Sequence, residues 1–379
     1  MPHASPSDAH PAPASAPPRN PTHPAWGEHW ETGKRHFRDW WEQRGMVLHV
    51  SCPLDQPRVG LAMPEATDLE TAWIGPEHRA AKAEAIAASQ AFLADCVPQG
   101  PINVGAGDLA AMLGCEWEFG ESTVWFHPCL DDDAVESDQP IRFDEANPAY
   151  QAIRRMLEAS LRRAEGRYLI GIPDLVEHFD ILAAMRGTQT LLMDLFDDPA
   201  WVHRRLAELN DAYFEVYDRM YELLRDEDGA VSFCAFNLWG PGRTAKVQCD
   251  ACSMLGPDAF REFVQPYLDE QCRRLDYAMY HLDGKECLQH VDALLEIEPL
   301  HAIQWTPGAT AGGRGGGHPD WHPLYRRILD AGKSVQIHCT PEDVIPLLDK
   351  FGPAGLYFMT GTSDRESAES LLEKAEAYR

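Results

Sequence analysis

The sequence is poor in basic residues and contains no long hydrophobic run. Lysine and arginine total 33 against 60 aspartates and glutamates, so the formal net charge is -27. A field of that sign repels polyanions and anionic lipid surfaces, which argues against nucleic acid or a membrane as partner. No apolar stretch is long enough to span a bilayer. A small molecule is therefore the expected binding partner.

The sequence also lacks a dense cysteine framework and a secretory leader. Its ten cysteines are scattered along 379 residues, and a chain of that length can fold without disulfides. The N-terminus does not show a basic segment followed by an apolar one. We therefore expect reduced thiols and a cytoplasmic location. The sequence leaves the oligomeric state open.

Phosphate-binding glycine motifs are missing as well. The glycine-rich stretch "GATAGGRGGGHPDWH", from Gly308 to His322, contains neither G-K-[ST] nor a G-x-G-x-x-G that leads into a helix. Several adjacent glycines are costly to order. This stretch is predicted to be a mobile loop or lid.

The chain divides into a short tail and one large domain. Residues 1–25 are mostly Pro, Ala, Ser and His, a composition that cannot bury enough apolar surface to fold, so we predict a disordered tail. Residues 26–379 have the composition of a folded domain, since hydrophobic residues make up 44% of the whole chain. The segment from Gly107 to Asn147 is predicted to be an insertion with a short hairpin.

Strand-like and helical segments alternate through the large domain, which predicts an α/β fold with a parallel sheet. About eight such units favour a (β/α)8 TIM barrel, with a doubly wound sheet as the alternative. The strand candidates are "MVLHVSC", "INVGAG", "RYLIGI", "AVSFCAF", "YAMYHL", "HAIQW", "SVQIHC" and "GLYFMT".

In a barrel, the reactive side chains gather where the strands end. The candidates that follow or end a predicted strand are Asp174, Trp239, Arg243, Asp250, His281, Asp283, Trp305, His338 and Cys339. The stretch "YAMYHLDG" stands out, because strand alternation would turn His281 and Asp283 to the same side. Arg243 could hold a carboxylate with its bidentate fork, whereas Trp239 and Trp305 could stack on a ligand.

Each candidate also has a structural interpretation. Asp283 before Gly284 could close a turn, and His281 could be a core histidine bonded to a carbonyl. Cys339 could be an inert buried thiol, and Arg243 could brace a turn. These alternatives stay open at the level of the sequence.

Several stretches resemble the uroporphyrinogen decarboxylase superfamily, which includes the cobamide-dependent methyltransferases and is similar to cobalamin-independent methionine synthase. The matching stretches, between Asn103 and the C-terminus, are "GDLAAMLG", "DILAAMRGTQTLLMDLFDDPAWVHRRL", "CDACSMLGPDAFREFVQPYLDE", "YHLDG" and "HCTPEDVIPLLDKFGPAGLYFMTGT". The resemblance implies a TIM barrel enzyme.

The sequence departs from the family patterns at the motifs that bind the substrate and the zinc ion. The arginine-rich N-terminal motif of porphyrinogen decarboxylases is replaced by "GKRHFRDWWEQRG", which makes a porphyrinogen substrate a poor expectation. The H-x-C zinc motif of the methyltransferases reads His281, Leu282, Asp283 here, and the later cysteine falls near Thr362. The resemblance thus implies a zinc site altered to His281 and Asp283, with either His338 or Cys339 as the third ligand, and a corrinoid protein as partner.

Three functions are compatible with these observations. The first is methyl transfer between a small polar substrate and a corrinoid or thiol, assisted by a metal, with His281 and Asp283 at the centre. The second is a metal-free decarboxylase or lyase, with Asp250 or Asp283 stabilising a protonated intermediate and Arg243 holding the carboxylate. The third is a barrel that binds a ligand such as a sugar or a corrinoid without turnover, through Trp117, Trp125, Trp239 and Trp305. In an enzyme, the expected substrate-binding residues are Asp174, Trp239, Trp305 and His338.

Overall fold

The structure is a computed structural model that describes residues 19–105 and 107–379. The predicted tail therefore lies mostly outside the described residues. No helix within those ranges is both long and apolar enough to cross a membrane. The strands are β1 (Val47–Pro53), β2 (Gln90–Ala94), β3 (Gln99–Gly100), β4 (Glu116–Phe119), β5 (Val124–His127), β6 (Leu169–Ile170), β7 (Val231–Ser232), β8 (Trp239–Gly240), β9 (Thr244–Gln248), β10 (Tyr277–Asp283), β11 (Ala302–Thr306), β12 (Ser334–His338) and β13 (Leu356–Gly361).

Helices cover the sheet, and proline opens several of them, where its missing N–H costs nothing. The helices are α1 (Trp30–Trp41), α2 (Leu69–Ile74), α3 (Pro76–Ala88), α4 (Asp108–Met112), α5 (Asp132–Glu136), α6 (Pro148–Ala164), α7 (His178–Arg186), α8 (Thr188–Asp197), α9 (Pro199–Leu224), α10 (Pro257–Phe263), α11 (Gln265–Arg273), α12 (Val291–Leu295), α13 (His322–Asp330), α14 (Pro341–Phe351) and α15 (Arg365–Ala375).

The main sheet has seven strands in the order β2-β1-β13-β12-β11-β10-β9. All neighbours are parallel except β2, which is antiparallel to β1. A separate parallel pair, β3 and β6, brings the parallel strands of the described residues to eight. The architecture is therefore mixed α/β, as the alternating pattern predicts.

The ladder of hydrogen bonds does not run round a closed ring. Between β1 and β3 the antiparallel β2 covers the free edge of β1, and between β6 and β9 the ladder is interrupted by a hairpin. That hairpin, β7–β8, joins β6 through a parallel bridge between Ile172 and Phe233. The close approach requires Gly171, because a Cβ there would lie 2.6 Å from the backbone nitrogen of Cys234.

The predicted fourth barrel strand was wrong. "AVSFCAF" has the β-rich composition of a strand, but it forms the first arm of the β7–β8 hairpin. The strand that joins the main sheet is β9, which pairs with β10. Both "AVSFCAF" and β9 have the composition of a strand, so composition alone does not show which of them pairs with β10.

The β7–β8 hairpin crosses the interior that the parallel strands enclose. Its tip has positive φ at Phe236 (57°) and Asn237 (46°), an unusual conformation for residues other than glycine. Gln336 on β12 donates to the Phe236 carbonyl at 2.8 Å, and Tyr357 on β13 donates to the Asn237 carbonyl at 2.7 Å. Side chains from strands on the far side thus hold the tip in place.

The N-terminal boundary of the packed region lies earlier than predicted. Asn20 is buried, although the tail was expected to extend to residue 25. Its Nδ2 donates to the carbonyl of Ile170 at 2.8 Å and to that of Leu224 at 2.5 Å, and its Oδ1 accepts from the Ile170 amide at 2.8 Å. The amides of Ala25 and Trp26 bond to the carbonyls of Gly166 and Arg167. One asparagine therefore ties residues 20–26 to the end of β6, which composition could not reveal.

Replacing Asn20 with alanine should destabilise the protein, because three buried backbone groups lose their partner. The expected loss in the free energy of unfolding is on the order of 2 to 4 kcal/mol, measured by urea denaturation. Arg19→Ala, at the exposed neighbour, is the matched control and should leave stability unchanged. A chain starting at Trp26 should lose at least as much as Asn20→Ala; equal stability of that chain and the full one would restore the predicted boundary.

Candidate active site

His281 and Asp283 lie on the same side of β10, at its C-terminal end. The His281 Nε2 is 4.0 Å from the Asp283 Oδ2, and the Nδ1 is hydrogen-bonded to the Oε1 of Gln304 on β11. Asp283 is still part of the strand, paired with Thr306, and does not close a turn. Burial lowers the pKa of His281, so the ring is neutral at pH 7. The two side chains share one surface, as strand alternation predicts.

Asp250 faces this surface from the end of β9. Asp250 is an exposed residue, but the protein atoms around its carboxyl, together with the charge of Asp180, raise its pKa to about 7; Lys246 acts in the opposite direction, and Asp283 adds to the increase. Asp180 itself accepts the amides of Asp250 and Ala251 at 2.8 and 2.9 Å. A carboxyl with a pKa raised in this direction suits a general acid or base.

A buried ion pair lies beneath these acids. The Lys246 Nζ, fully buried on β9, is 2.7 Å from the Oδ1 of Asp174 in the segment after β6. Lys246 also donates to the Gln248 Oε1. Glu177 accepts the Gln248 amide at 2.9 Å, and burial raises its pKa well above the usual value. These bonds connect β6 to β9 across the interruption in the ladder.

The strand register places the inward side chains in two layers. Gln248, His281, Gln304, Gln336 and Tyr357 are successive partners across β9 to β13 and form the lower layer. The upper layer contains two sets of register partners, Asp283 with Thr306 and Met359 with both His338 and His49. Layers of inward side chains are typical of barrels.

The Phe236 ring at the hairpin tip lies between two histidines of these layers. Its centroid is 4.9 Å from that of His281 and 6.1 Å from that of His338. The His338 Nε2 lies 3.0 Å from the Met359 Sδ, and burial together with His281 lowers the pKa of His338. His49, behind them on β1, has a pKa lowered to about 4 by burial and by His338. These rings are neutral and partly apolar at pH 7.

A cavity of about 240 Å³ opens between the β7–β8 hairpin and strands β1 and β2. His49, Gln99 and Phe236 belong to its lining. Its volume is smaller than the roughly 300–1,000 Å³ of drug-sized pockets, and His281, Asp283 and Asp250 do not line it.

Arg243 does not belong to the site. It precedes β9, so it lies at the end of the strand opposite to Asp250. Its Nη2 is 2.5 Å from Asp218, and its Nε donates to the Arg274 carbonyl at 3.1 Å. The prediction of a carboxylate-binding Arg243 was wrong because "AVSFCAF" was assigned as the barrel strand. Arg243 would then follow the strand, whereas it actually precedes the true strand, β9.

Trp239 and Trp305 are core residues, contrary to the prediction that they stack on a ligand. Trp239 is buried against Trp30 and Phe37, with edge-on rings 5.7 and 6.0 Å apart. Trp305 alternates with the inward Gln304, so it points outward from β11 and packs against Trp321 at 5.1 Å. Both tryptophans contribute packing area rather than a binding surface.

The predicted zinc ligands do not converge. Cys339 follows the inward His338 and therefore turns to the other side, where burial and then Asp343 raise its thiol pKa to about 12. In the part of the chain that the structure describes, no three His, Cys, Asp or Glu side chains come together as a metal-binding group. His281, Asp283 and Cys339 thus do not fit a three-ligand zinc site.

Sequence reasoning missed Lys246, Glu177 and His49. A usable signal existed, because polar residues occupy every second position in "AKVQCD" (β9), "IQWT" (β11) and "VQIH" (β12). Such alternation with buried hydrophobic residues marks one polar face per strand. The predicted lid makes contacts in this structure, since the Trp321 Nε1 donates to the Gly315 carbonyl at 3.1 Å and Gly316 lies against the His338 carbonyl; its mobility stays a prediction.

The fold is shared with a methyltransferase. A methyltransferase from Methanosarcina mazei is similar over 92% of this chain and 99% of its own, with a TM-score of 0.53 and 11% sequence identity. Macrophomate synthase covers 60% of this chain and 71% of its own at 13% identity, but its TM-score of 0.23 is too low to carry an argument. No family model matches the chain, and no curated protein matches it. The chain therefore has a methyltransferase-like fold, and this similarity leaves substrate and superfamily membership undetermined.

The ion pair between Lys246 and Asp174 generates a stability prediction. Lys246→Met should cost about 3–5 kcal/mol, because it leaves a buried carboxylate without its partner. The double change Lys246→Met/Asp174→Asn removes both charges and should recover part of that loss, which a double-mutant cycle in urea measures. Lys374→Met, at an exposed lysine on α15, is the control. Wild-type stability in Lys246→Met would show that the pair does not hold β6 and β9 together.

Proposed function

We propose that the protein is an enzyme that transfers a methyl group to or from a small polar molecule at the mouth of a (β/α)8 barrel of the uroporphyrinogen decarboxylase superfamily. Eight parallel strands with layered inward side chains support the barrel, opened where β2 and the β7–β8 hairpin interrupt the ladder. The methyltransferase-like fold supports the reaction class. The observation that carries the proposal is the position of Asp250, whose Oδ2 accepts from the Gln248 Nε2 at 3.0 Å, next to the strand position of His281, together with a pKa that is raised in part by the charge of Asp283.

Asp250 acts on the heteroatom that carries the methyl group. The acceptor attacks the methyl carbon, the bond between carbon and heteroatom breaks, and the electron pair stays on the heteroatom. The protonated carboxyl of Asp250 then donates its proton to that atom. In the reverse direction the Asp250 carboxylate removes the proton before the methyl group arrives. A positioned acid of this kind is worth about 10²–10⁴-fold in rate.

The charges around the mouth define the class of substrate. Asp180, Asp250 and Asp283 influence one another there, whereas the charge of Lys246 is offset by Asp174. The histidines are neutral at pH 7. An anionic substrate would meet repulsion, so the proposed methyl donor is neutral or cationic. The acceptor is a thiol or a corrinoid carried by a partner protein; no step requires a zinc ion.

The alternative functions have less support. A decarboxylase needs a cation for the substrate carboxylate, and the predicted cation, Arg243, is at the wrong end of β9. A barrel that only binds ligands would use stacking tryptophans, but Trp239 and Trp305 are buried in the core, and the exposed Trp125 lies on the β4–β5 hairpin, outside the candidate active site. Release of carbon dioxide from a screened acid would favour the decarboxylase over methyl transfer.

Asp250→Asn should abolish most of the activity while leaving the fold intact, because the amide keeps the shape but cannot donate a carboxyl proton. The assay offers methyl donors with deuterated methyl groups (an amine, a thioether and a methoxy compound) and a small thiol or a free reduced corrinoid as acceptor. Mass spectrometry of the acceptor should show transfer by the wild type and a decrease in kcat of about 10²–10⁴-fold in the variant. Asp330→Asn, at the exposed end of α13, is the matched control. Transfer at the wild-type rate in Asp250→Asn, or from no donor at all in the wild type, would rule out the proposal.

Asp283→Asn should move the pH profile toward acid. The acidic form of Asp250 is present below its pKa of about 7 and is lost above it, so kcat should fall as the pH rises through 7. The charge of Asp283 raises that pKa, so removing the charge lowers it, and the decline should begin at a lower pH. The measurement is kcat against pH for both proteins. If the decline in kcat begins at the same pH or at a higher pH in the variant, Asp250 is not the acid that controls it.

A further inference from the structure

Two cysteines outside the candidate active site lie close together at the open end of the β4–β5 hairpin. Cys115 immediately precedes β4, and Cys129 follows β5 by two residues. Their Sγ atoms are 3.3 Å apart. The register of the hairpin, with Glu116 opposite His127, holds the two ends side by side. A disulfide bond is about 2.05 Å long, so bond formation requires a side-chain movement of about 1 Å.

The two thiols differ in exposure. Cys129 is exposed, whereas Cys115 is only 6% exposed. The hydrogen bond from Cys115 lowers the pKa of Cys129 and raises that of Cys115. An accessible thiol with thiolate character next to a shielded one is the arrangement in which the first reacts with an external disulfide and the second resolves the product.

We propose that Cys115 and Cys129 form a thiol–disulfide exchange site, which a small disulfide of the glutathione type converts reversibly into an intramolecular disulfide at the base of the β4–β5 hairpin. The thiolate of Cys129 attacks one sulfur of the small disulfide, whose S–S bond breaks and releases one small thiol. Cys115 then loses its proton to solvent, and its sulfur attacks Cys129, expelling the second small thiol. Two protein thiols are oxidised and one small disulfide is reduced.

The disulfide between Cys115 and Cys129 would fix the β4–β5 hairpin, which reaches toward the candidate active site. The Phe126 ring on β5 lies against Gly107, where a Cβ would approach it to 2.7 Å. Gly107 immediately precedes the buried Asp108, whose pKa is raised by burial and by Asp174. The base of the hairpin is anchored to α7, since the amides of Cys129 and Leu130 donate to the Met185 carbonyl. A closed base thus keeps Phe126 against the loop before α4.

The chain contains its own control pair. Cys252 and Cys287 have Sγ atoms 3.5 Å apart, about the same distance, but both are buried. If proximity alone decided the reaction, both pairs would oxidise. If access to an external disulfide is required, only the pair with Cys129 reacts.

The experiment treats the folded full-length chain with excess oxidised glutathione, traps free thiols with an alkylating agent, and maps the peptides by mass spectrometry. Trypsin leaves both cysteines on one peptide, since the sequence between Lys82 and Arg142 has no other cleavage site. A protease that cleaves after glutamate separates them, at Glu116, Glu118 and Glu121. The expected product joins the fragment 85–116 to the fragment 122–136, with the loss of two hydrogens.

The variants identify the steps. In Cys115→Ser, Cys129 should stop at the mixed disulfide with glutathione; in Cys129→Ser, whose exposed site tolerates the change, Cys115 should stay free. Because fragment 85–116 also contains Cys96, Cys96→Ser should leave the cross-link unchanged. Hydrogen exchange of the hairpin amides should slow in the oxidised protein and recover with dithiothreitol. A wild-type Cys129 that stays free or remains a mixed disulfide, or equally fast oxidation of Cys252 and Cys287, would overturn the proposal. It is independent of methyl transfer, because no outcome is read from activity.

Discussion

The β7–β8 hairpin is the constraint on which the rest of this structure depends. Its arms join β6 through the bridge between Ile172 and Phe233, and its tip is held by Gln336 and Tyr357 from the opposite strands. Such a connection across the interior costs backbone strain at Phe236 and Asn237, about 1–3 kcal/mol for each residue. Strain of this kind persists only where surrounding bonds determine the conformation, and here it brings the Phe236 ring against His281 and His338. The same segment that interrupts the ladder therefore shapes the wall of the candidate site.

The charge balance of the candidate site depends on Lys246, a buried ammonium group that is already paired with Asp174. Lys246 faces Asp174 and lowers the pKa of Asp250, whereas Asp180 and Asp283 raise it. Burial acts in the same direction as the carboxylates, and the balance leaves Asp250 near pH 7. Charge pairs usually shift the pKa of an acid downward, whereas here the protein atoms around Asp250 are the largest cause of the increase, and nearby carboxylates add to it. A group that exchanges a proton near neutral pH, beside neutral histidines, is suited to proton transfer on an uncharged or cationic molecule.

Part of the site was predictable because it depends on local geometry. The two-residue period of a strand is enough to turn His281 and Asp283 to one side, and His338 lies at the end of β12 as its predicted strand requires. The assignments that failed depended on long-range choices. Arg243, Trp239 and Trp305 were assigned to the mouth, but which segment enters the sheet, and which face of it turns inward, is decided by packing against distant residues. The prediction of Cys339 as a metal ligand was wrong for a different reason: it follows the inward-facing His338, so strand alternation turns its side chain away from the site.

The sequence by itself determined the class of architecture, through the alternation of strands and helices, and its net charge of -27 makes nucleic acid an unfavourable partner. It also contained the polar period of β9, β11 and β12, from which Lys246 can be recognised as an inward residue. Only the tertiary structure decided that "AVSFCAF" leaves the sheet and becomes an internal hairpin, that Asn20 docks on β6, and that Lys246 meets Asp174. The physical reason is that periodicity is encoded by neighbours two to four residues apart, whereas each of these decisions depends on partners separated by many residues, with Asn20 and Ile170 150 positions apart.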